Sequence, residues 1–191
     1  KITADTAGGV YVAWEVNGGL SGTRIFLSKS VNSGDKFDRA IDIKSYCSGS
    51  GDISRDVNLI TGGDGHTYIA WAEEWPALNN ISEVRLFTEK EYLCRSVSNT
   101  VISKEGVYSP MIQLSSDKNV NIVWAQGENG KPKDIYYKKK NPVNLSNTPL
   151  SDSSDPLIGF DGSLTVNVAW VEQTADSGKR EIKVARSTDG G

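Results

Sequence analysis

Residues 59–71 read LITGGDGHTYIAW, and the same thirteen-residue phrase occurs three more times without a gap: ITADTAGGVYVAW at 2–14, IQLSSDKNVNIVW at 112–124 and IGFDGSLTVNVAW at 158–170. Each copy opens on an apolar residue, passes through a turn of Gly, Asp, Asn or Ser, and closes a β-rich run on Trp. Trp14, Trp71, Trp124 and Trp170 are spaced by 57, 53 and 46 residues. Units of about fifty residues cannot each bury a core, so they must stack on one another.

Within each copy the run before Trp alternates. Val10, Val12 and Trp14 face one way, Tyr11 and Ala13 the other, and the period is kept by Thr67, Ile69 and Trp71, by Val120, Ile122 and Trp124, and by Val166, Val168 and Trp170. Period two is a strand signal, and apolar residues on both faces imply sheets stacked face to face. Further strands are predicted over 23–29, 83–88 (continuing toward Cys94), 134–140 and 181–186, with short edge strands at 40–43, 101–102 and 143–145. The polar segments 48–54, 104–110 and 146–156 read as connections between units. Four-stranded antiparallel meanders repeated at this period read as blades of a β-propeller, with boundaries near 1–52, 53–106, 107–152 and 153–191. The fourth unit stops before an outer strand, so the expectation is part of a larger ring of six or seven blades, completed by further blades or a neighbouring chain.

Composition narrows the function classes. Apolar residues make up 37% and charged residues 24%, as in soluble globular proteins, and the net charge of −3 carries no basic footprint for nucleic acid. No apolar run reaches the roughly twenty residues of a membrane helix, so no membrane insertion is expected. Cys47 and Cys94 leave a disulfide and two free thiols equally open. Asn80-Ile81-Ser82 and Asn144-Leu145-Ser146 have the form of glycosylation triplets.

The segments after the third strands carry a resemblance. Ser187-Thr188-Asp189-Gly190-Gly191 looks like the start of an Asp-box, S-x-D-x-G-x-[ST]-[WF], and the stretch from Ser30 through Asn32 and Gly34 to Phe37 is a degenerate copy. In such a turn the Asp or Asn accepts turn N–H groups, Gly takes the positive φ and the aromatic packs beneath. The second unit offers only Ser96-Val97-Ser98-Asn99, and in the third the motif is replaced by Lys138-Lys139-Lys140-Asn141. The four units thus resemble the sialidase-like, bacterial neuraminidase repeat family of propellers. That resemblance implies an extracellular or cell-surface location and a glycan or cell-surface protein as partner. For Ser30, Asn32, Gly34, Phe37, Ser187, Asp189 and Gly191 it implies a structural role.

A sialidase would need three converging arginines, a Tyr–Glu pair and an Asp acid/base. The family's Arg-Ile-Pro signature is absent: Arg24-Ile25 is followed by Phe26. Arg55 beside Asp56, opening the second unit near the expected axis, is the catalytic candidate, against the reading of a surface ion pair. Carboxylates recur after Trp as Glu15, Glu73 with Glu74, and Glu172, with Gln126 in the third unit. Glu73, Glu74 and Trp75 are the candidates for ligand binding, since a loop Trp offers a platform to a sugar. One histidine, His66, supports no triad, no Cys/His spacing suits a metal, and the acids of Asp152-Ser153-Ser154-Asp155 are too few for Ca²⁺. No cofactor is expected. The leading expectation is a non-catalytic, exported glycan- or protein-binding propeller segment. The alternative is part of a sialidase-like exo-glycosidase with its key residues largely elsewhere.

Overall fold

The alternating run that ends on each Trp forms the second strand of an antiparallel sheet, as its period of two requires. A computed structural model describes residues 1–19, 22–49, 51–62, 65–78, 81–97, 105–128, 131–161 and 164–191. The first sheet comprises β1 (Ile2–Ala4), β2 (Val10–Asn17), β3 (Thr23–Ser30) and β4 (Ile41–Asp42). The second comprises β5 (Ile53–Thr61), β6 (Thr67–Trp75), β7 (Ile81–Thr88) and β8 (Leu93–Ser96). The third comprises β9 (Glu105–Leu114), β10 (Val120–Glu128), β11 (Asp134–Lys138) and β12 (Pro142–Asn144). The last comprises β13 (Ser151–Phe160), β14 (Val166–Thr174) and β15 (Arg180–Ser187). Every sheet is a simple meander in which chain order is spatial order.

The apolar cores lie between sheets rather than within them. Tyr11, Ala13, Ile25 and Leu27 of the first sheet meet Leu59, Ile69, Trp71 and Phe87 of the second. Ala72, Val84 and Leu86 meet Ile112, Ile122 and Trp124, and Val123, Ile135 and Tyr137 meet Val166, Val168 and Trp170. Each sheet therefore gives one face to the blade before it and the other to the blade after it. The Trp faces backward in every case where a preceding blade is present. Its indole N–H is satisfied two residues on: Trp124 Nε1 donates to Gln126 Oε1 at 2.9 Å, Trp170 Nε1 to Glu172 Oε2 at 3.5 Å, and Trp71 Nε1 to Glu73 Oε2. In the first copy that position is Val16, and Glu15 is one residue out of register with the others.

Two predicted features are corrected. The segments 48–54, 104–110 and 146–156 are not simple connections, because β5, β9 and β13 begin inside them. These strand halves do not all reach the axis: Ser54 and Ser153 are buried, and Val107 belongs to the core between the second and third blades. The run toward Cys94 is not one strand either. A turn at 89–92, in which Tyr92 takes φ 47° and its N–H bonds the Glu89 carbonyl at 3.2 Å, folds β8 back onto β7. No Gly or Pro marks that turn, so composition does not announce it. Val101 and Ile102, predicted as an edge strand, lie outside the described residues, as do Asn80, Ser98 and Asn99.

The question left open by the cysteines resolves to a disulfide. Cys47, just after a single 3-10 turn at Ile43–Tyr46, is bonded to Cys94 in β8 and staples the first blade to the second.

Candidate functional site

In β5, β9 and β13 the register against the second strand slips by one residue, between Arg55 and Asn58, between Tyr108 and Met111, and between Ser154 and Leu157. Each slip is a β-bulge, which re-aims the extra residue. The residues concerned are Asp56 (φ 58°), Ser109 (φ 49°) and Asp155 (φ 51°), all in the left-handed region that non-glycine residues seldom enter. Three successive inner strands thus turn an equivalent side chain toward one place. There a pocket of about 530 Å³ opens, lined by Asp56, Ser109 and Asp155 together with Met111, Leu157 and Glu15.

A bulge frees backbone N–H groups from the ladder, and each must find a partner or be removed. After Asp56 comes Val57, whose N–H donates to Glu15 Oε1 of the first blade at 2.8 Å. After Ser109 and Asp155 come Pro110 and Pro156, which have no N–H to satisfy. The Ser109 N–H itself donates to Asp56 Oδ2 at 2.8 Å. Glu15 therefore ties β2 of the first blade to β5, and Asp56 ties β5 to β9, while both line the pocket. Three carboxylates, from Glu15, Asp56 and Asp155, face it, and Lys1 is the one basic residue among its described lining residues.

Arg55 and Asp56, paired in the sequence reading, diverge. Arg55 pairs with Glu74, donates to the Val107 carbonyl at 3.2 Å and lies 4.9 Å over the Tyr108 ring. Tyr108 has Lys133 Nζ 5.7 Å from its ring centre. Only Asp56 of the candidate pair reaches the axis, because the bulge turns it away from its neighbour.

The proposed ligand platform is dispersed. Glu73 is 0% exposed, with Lys44 Nζ 3.0 Å from its Oε1 and the Ser54 hydroxyl donating to its Oε2 at 3.1 Å. Lys44 also donates to the Thr23 and Gly51 carbonyls at 2.8 and 2.7 Å, so Glu73 is half of an ion pair sealed between blades, out of reach of a ligand. Glu74 is held by Arg55. Trp75 is half-buried, with the Arg85 guanidinium 5.3 Å from its ring centre, and does not line the axial pocket. His66 follows β5 in the turn at the opposite end of that strand from Asp56.

The two Asp-box-like turns adopt the hydrogen bonding their residues suggest. Ser30 Oγ donates to Asn32 Oδ1 at 2.7 Å, and the Gly34 and Lys36 N–H groups donate to Ser30 Oγ and Asn32 Oδ1 at 3.0 Å. The Gly191 N–H donates to Ser187 Oγ at 2.9 Å, and Ser187 bonds Asp189. The Ser187 hydroxyl and the Gly191 N–H hold the Asp189 carboxyl below its usual range. Gly34 and Gly191 take φ 92° and 89°, as the turn demands. Phe37 departs from expectation: it is 40% exposed rather than tucked beneath the turn. The acids of 152–155 also separate. Asp152 is engaged by Lys133 through its backbone N–H and its Nζ, at 2.8 and 2.7 Å, while Asp155 turns to the axis.

No family model matches the chain, and no curated protein matches it in sequence. Solved structures do. An ulvan lyase of polysaccharide lyase family PL25, bound to -[GlcA(1-4)Rha3S]-, is similar at TM-score 0.62 and 10% identity over 100% of this chain and 52% of that one. A thermostable family-43 glycoside hydrolase is similar at TM-score 0.56 and 13% identity over 100% and 72%. A Hadza microbial sialidase is similar at 0.53 and 14% over 96% and 40%. At such identities the likeness concerns architecture, and it agrees with the stacked meanders. The fold is a β-propeller. The chain spans about half the length of the ulvan lyase it matches.

Proposed function

We propose that this chain is a segment of an exported β-propeller that binds a glycan in the axial pocket. The observation that carries the proposal is the triple recurrence of a bulged residue, Asp56, Ser109 and Asp155, each held at positive φ and aimed into one cavity. Backbone strain of this kind costs roughly 1–3 kcal/mol per residue and concentrates at functional sites. Carboxylates accept paired hydrogen bonds from sugar hydroxyls, and Met111 and Leu157 offer apolar surface to a pyranose face. Three carboxylates against one lysine, Lys1, among the described lining residues disfavour an acidic sugar, so the ligand class is a neutral glycan. The similar structures, a polysaccharide lyase, a glycoside hydrolase and a sialidase, support a carbohydrate partner. The disulfide supports export, because such bonds persist in oxidising compartments.

The test is binding to an array of neutral and acidic glycans, with Asp155→Ala and Asp56→Asn as site variants and Trp75→Ala as comparison. A hydrogen bond to a charged group contributes about 1.5–3 kcal/mol, so each site variant should bind roughly ten- to a hundredfold more weakly. Loss of binding in Trp75→Ala with both site variants unaffected would move the ligand to the rim of the second blade.

Asp56 and Asp155 lining one pocket also favour a second reading, in which they act as the acid/base pair of an exo-glycosidase. Release of nitrophenol from neutral nitrophenyl glycosides, abolished in both site variants, would establish it.

A further inference from the structure

The tri-lysine stretch that stands where the third unit would carry its Asp-box faces a second cavity, at the outer edge between the second and third blades. Two adjoining hollows of about 260 and 330 Å³ share Arg95, Val120 and Lys139. Together they are lined by Lys90, Arg95, Lys118, Lys138, Lys139 and Lys140, with Glu91 as the only carboxylate among the described lining residues. Six of the chain's 21 basic residues converge there although its net charge is −3. They come from separate segments: Lys90 from the turn after β7, Arg95 from β8, Lys118 from the turn before β10, and the lysine run from the end of β11. The convergence is therefore made by the fold.

We infer that this groove binds a linear anionic polysaccharide through its sulfate or carboxylate groups. Its cations line two joined hollows rather than one point, which suits a repeating anion. Half-buried Val120 supplies apolar surface between those charges, above the buried Leu86, Val97 and Ile122. Asp117 reaches Lys139 at 3.3 Å, and Lys138 donates to the Val97 carbonyl, whereas Arg95 is exposed and has no ion pair among the described residues. Burial, followed by the charge of Arg95, pulls the Lys138 ammonium below its usual range, a repulsion that a bound anion relieves. The disulfide at Cys94 anchors the strand that carries Arg95. It also fits an oxidising compartment, where disulfides persist. The groove is separate in position and in sign from the acidic axial pocket, and its ligand does not depend on what that pocket holds.

The experiment is titration calorimetry with dextran sulfate, polygalacturonate, uncharged dextran, sodium sulfate and a DNA duplex, on the intact chain and on Lys90→Gln/Arg95→Gln/Lys140→Gln. All three replaced residues are exposed, so the variant should melt with the parent. The expected result is binding of one or both anionic polysaccharides and not of uncharged dextran, weakened about tenfold or more in the variant and by raising salt from about 50 to 500 mM. Retained binding in the variant, no binding of either anionic polysaccharide, equal binding of DNA at matched charge, or equal occupancy by free sulfate would each overturn the proposal.

Discussion

Ile25, Ile135 and Ile182 occupy one repeat position, each opposite the residue that follows the blade's Trp: Glu15, Ala125 and Val171. Ile25 and Ile135 are 0% exposed, between blades, whereas Ile182 is 70% exposed. Replacing each with Ala removes the same three carbons. At about 0.8 kcal/mol per buried methylene the transfer loss is about 2.4 kcal/mol for a buried site, and the cavity left behind raises it to about 3–4. For Ile182, with 70% of its surface already in water, the same reasoning leaves under about 1 kcal/mol. All three lie in the third strand of their blade, so the intrinsic β preference of Ile over Ala enters each variant alike and cancels in the comparison. Urea unfolding of the three single variants of the 191-residue chain, followed by tryptophan fluorescence and far-ultraviolet dichroism, should separate Ile182→Ala from the other two by about 2 kcal/mol. Equal losses in all three would refute the assignment of the cores to the spaces between blades.

Two further outcomes follow from the structure. The disulfide closes a loop with a sequence separation of 47, and the chain-entropy relation for such a loop gives about 4 kcal/mol of stabilisation; unfolding with and without a reductant measures it, and a difference below about 1 kcal/mol would refute a stapling role. Asp134 has its carboxyl lowered despite burial, because the Thr148 N–H, Asn144 and the Ser146 and Thr148 hydroxyls donate to it. A folded-state value below the unfolded one means that the contribution is complete above the unfolded pKa, about 4, and is lost as pH falls through the folded value. Asp134→Asn should therefore flatten the acid limb of a stability–pH profile while leaving its slope near neutrality unchanged, and an unchanged acid limb would count against the network.

The blades were legible because the residues that make them face one another. Val12 and Trp14, or Ile69 and Trp71, alternate in a pattern that only a strand covered on both sides can use, and that pattern recurs without gaps. The axial site was half-legible. Asp56 attracted attention by its neighbour Arg55, yet the structure pairs Arg55 with Glu74, and a bulge sends Asp56 the other way. Strand alternation alone cannot foresee a bulge, because one inserted residue reverses every side chain beyond it. A signal was nevertheless present. Asp56-Val57, Ser109-Pro110 and Asp155-Pro156 stand three residues before the aligned starts Leu59, Ile112 and Ile158. The polar composition of those segments made them resemble linkers, and Pro in a predicted strand argued the same way. Glu73 misled for the opposite reason. A carboxylate next to a loop looks solvated, and its partner Lys44 comes from another blade, beyond the reach of any local pattern.

The same geometry decides which site variant speaks most directly to ligand binding. Asp56 has two tasks: it faces the pocket, and its Oδ2 accepts the Ser109 N–H that the next blade's bulge leaves outside the ladder. Removing it leaves that N–H to water and loosens the strand that carries Ser109, so lost binding in an Asp56 variant mixes recognition with positioning. Asn keeps an acceptor there and limits the damage. Among the described residues Asp155 has only a local bond, accepted by its Oδ2 from the Ser154 hydroxyl at 3.0 Å. Its removal leaves the described inner strands tied as before. A loss of binding in Asp155→Ala with an unchanged melting temperature is thus the cleaner sign that the axial carboxylates touch the ligand. Loss in Asp56→Asn alone would assign Asp56 to the framework that shapes the pocket.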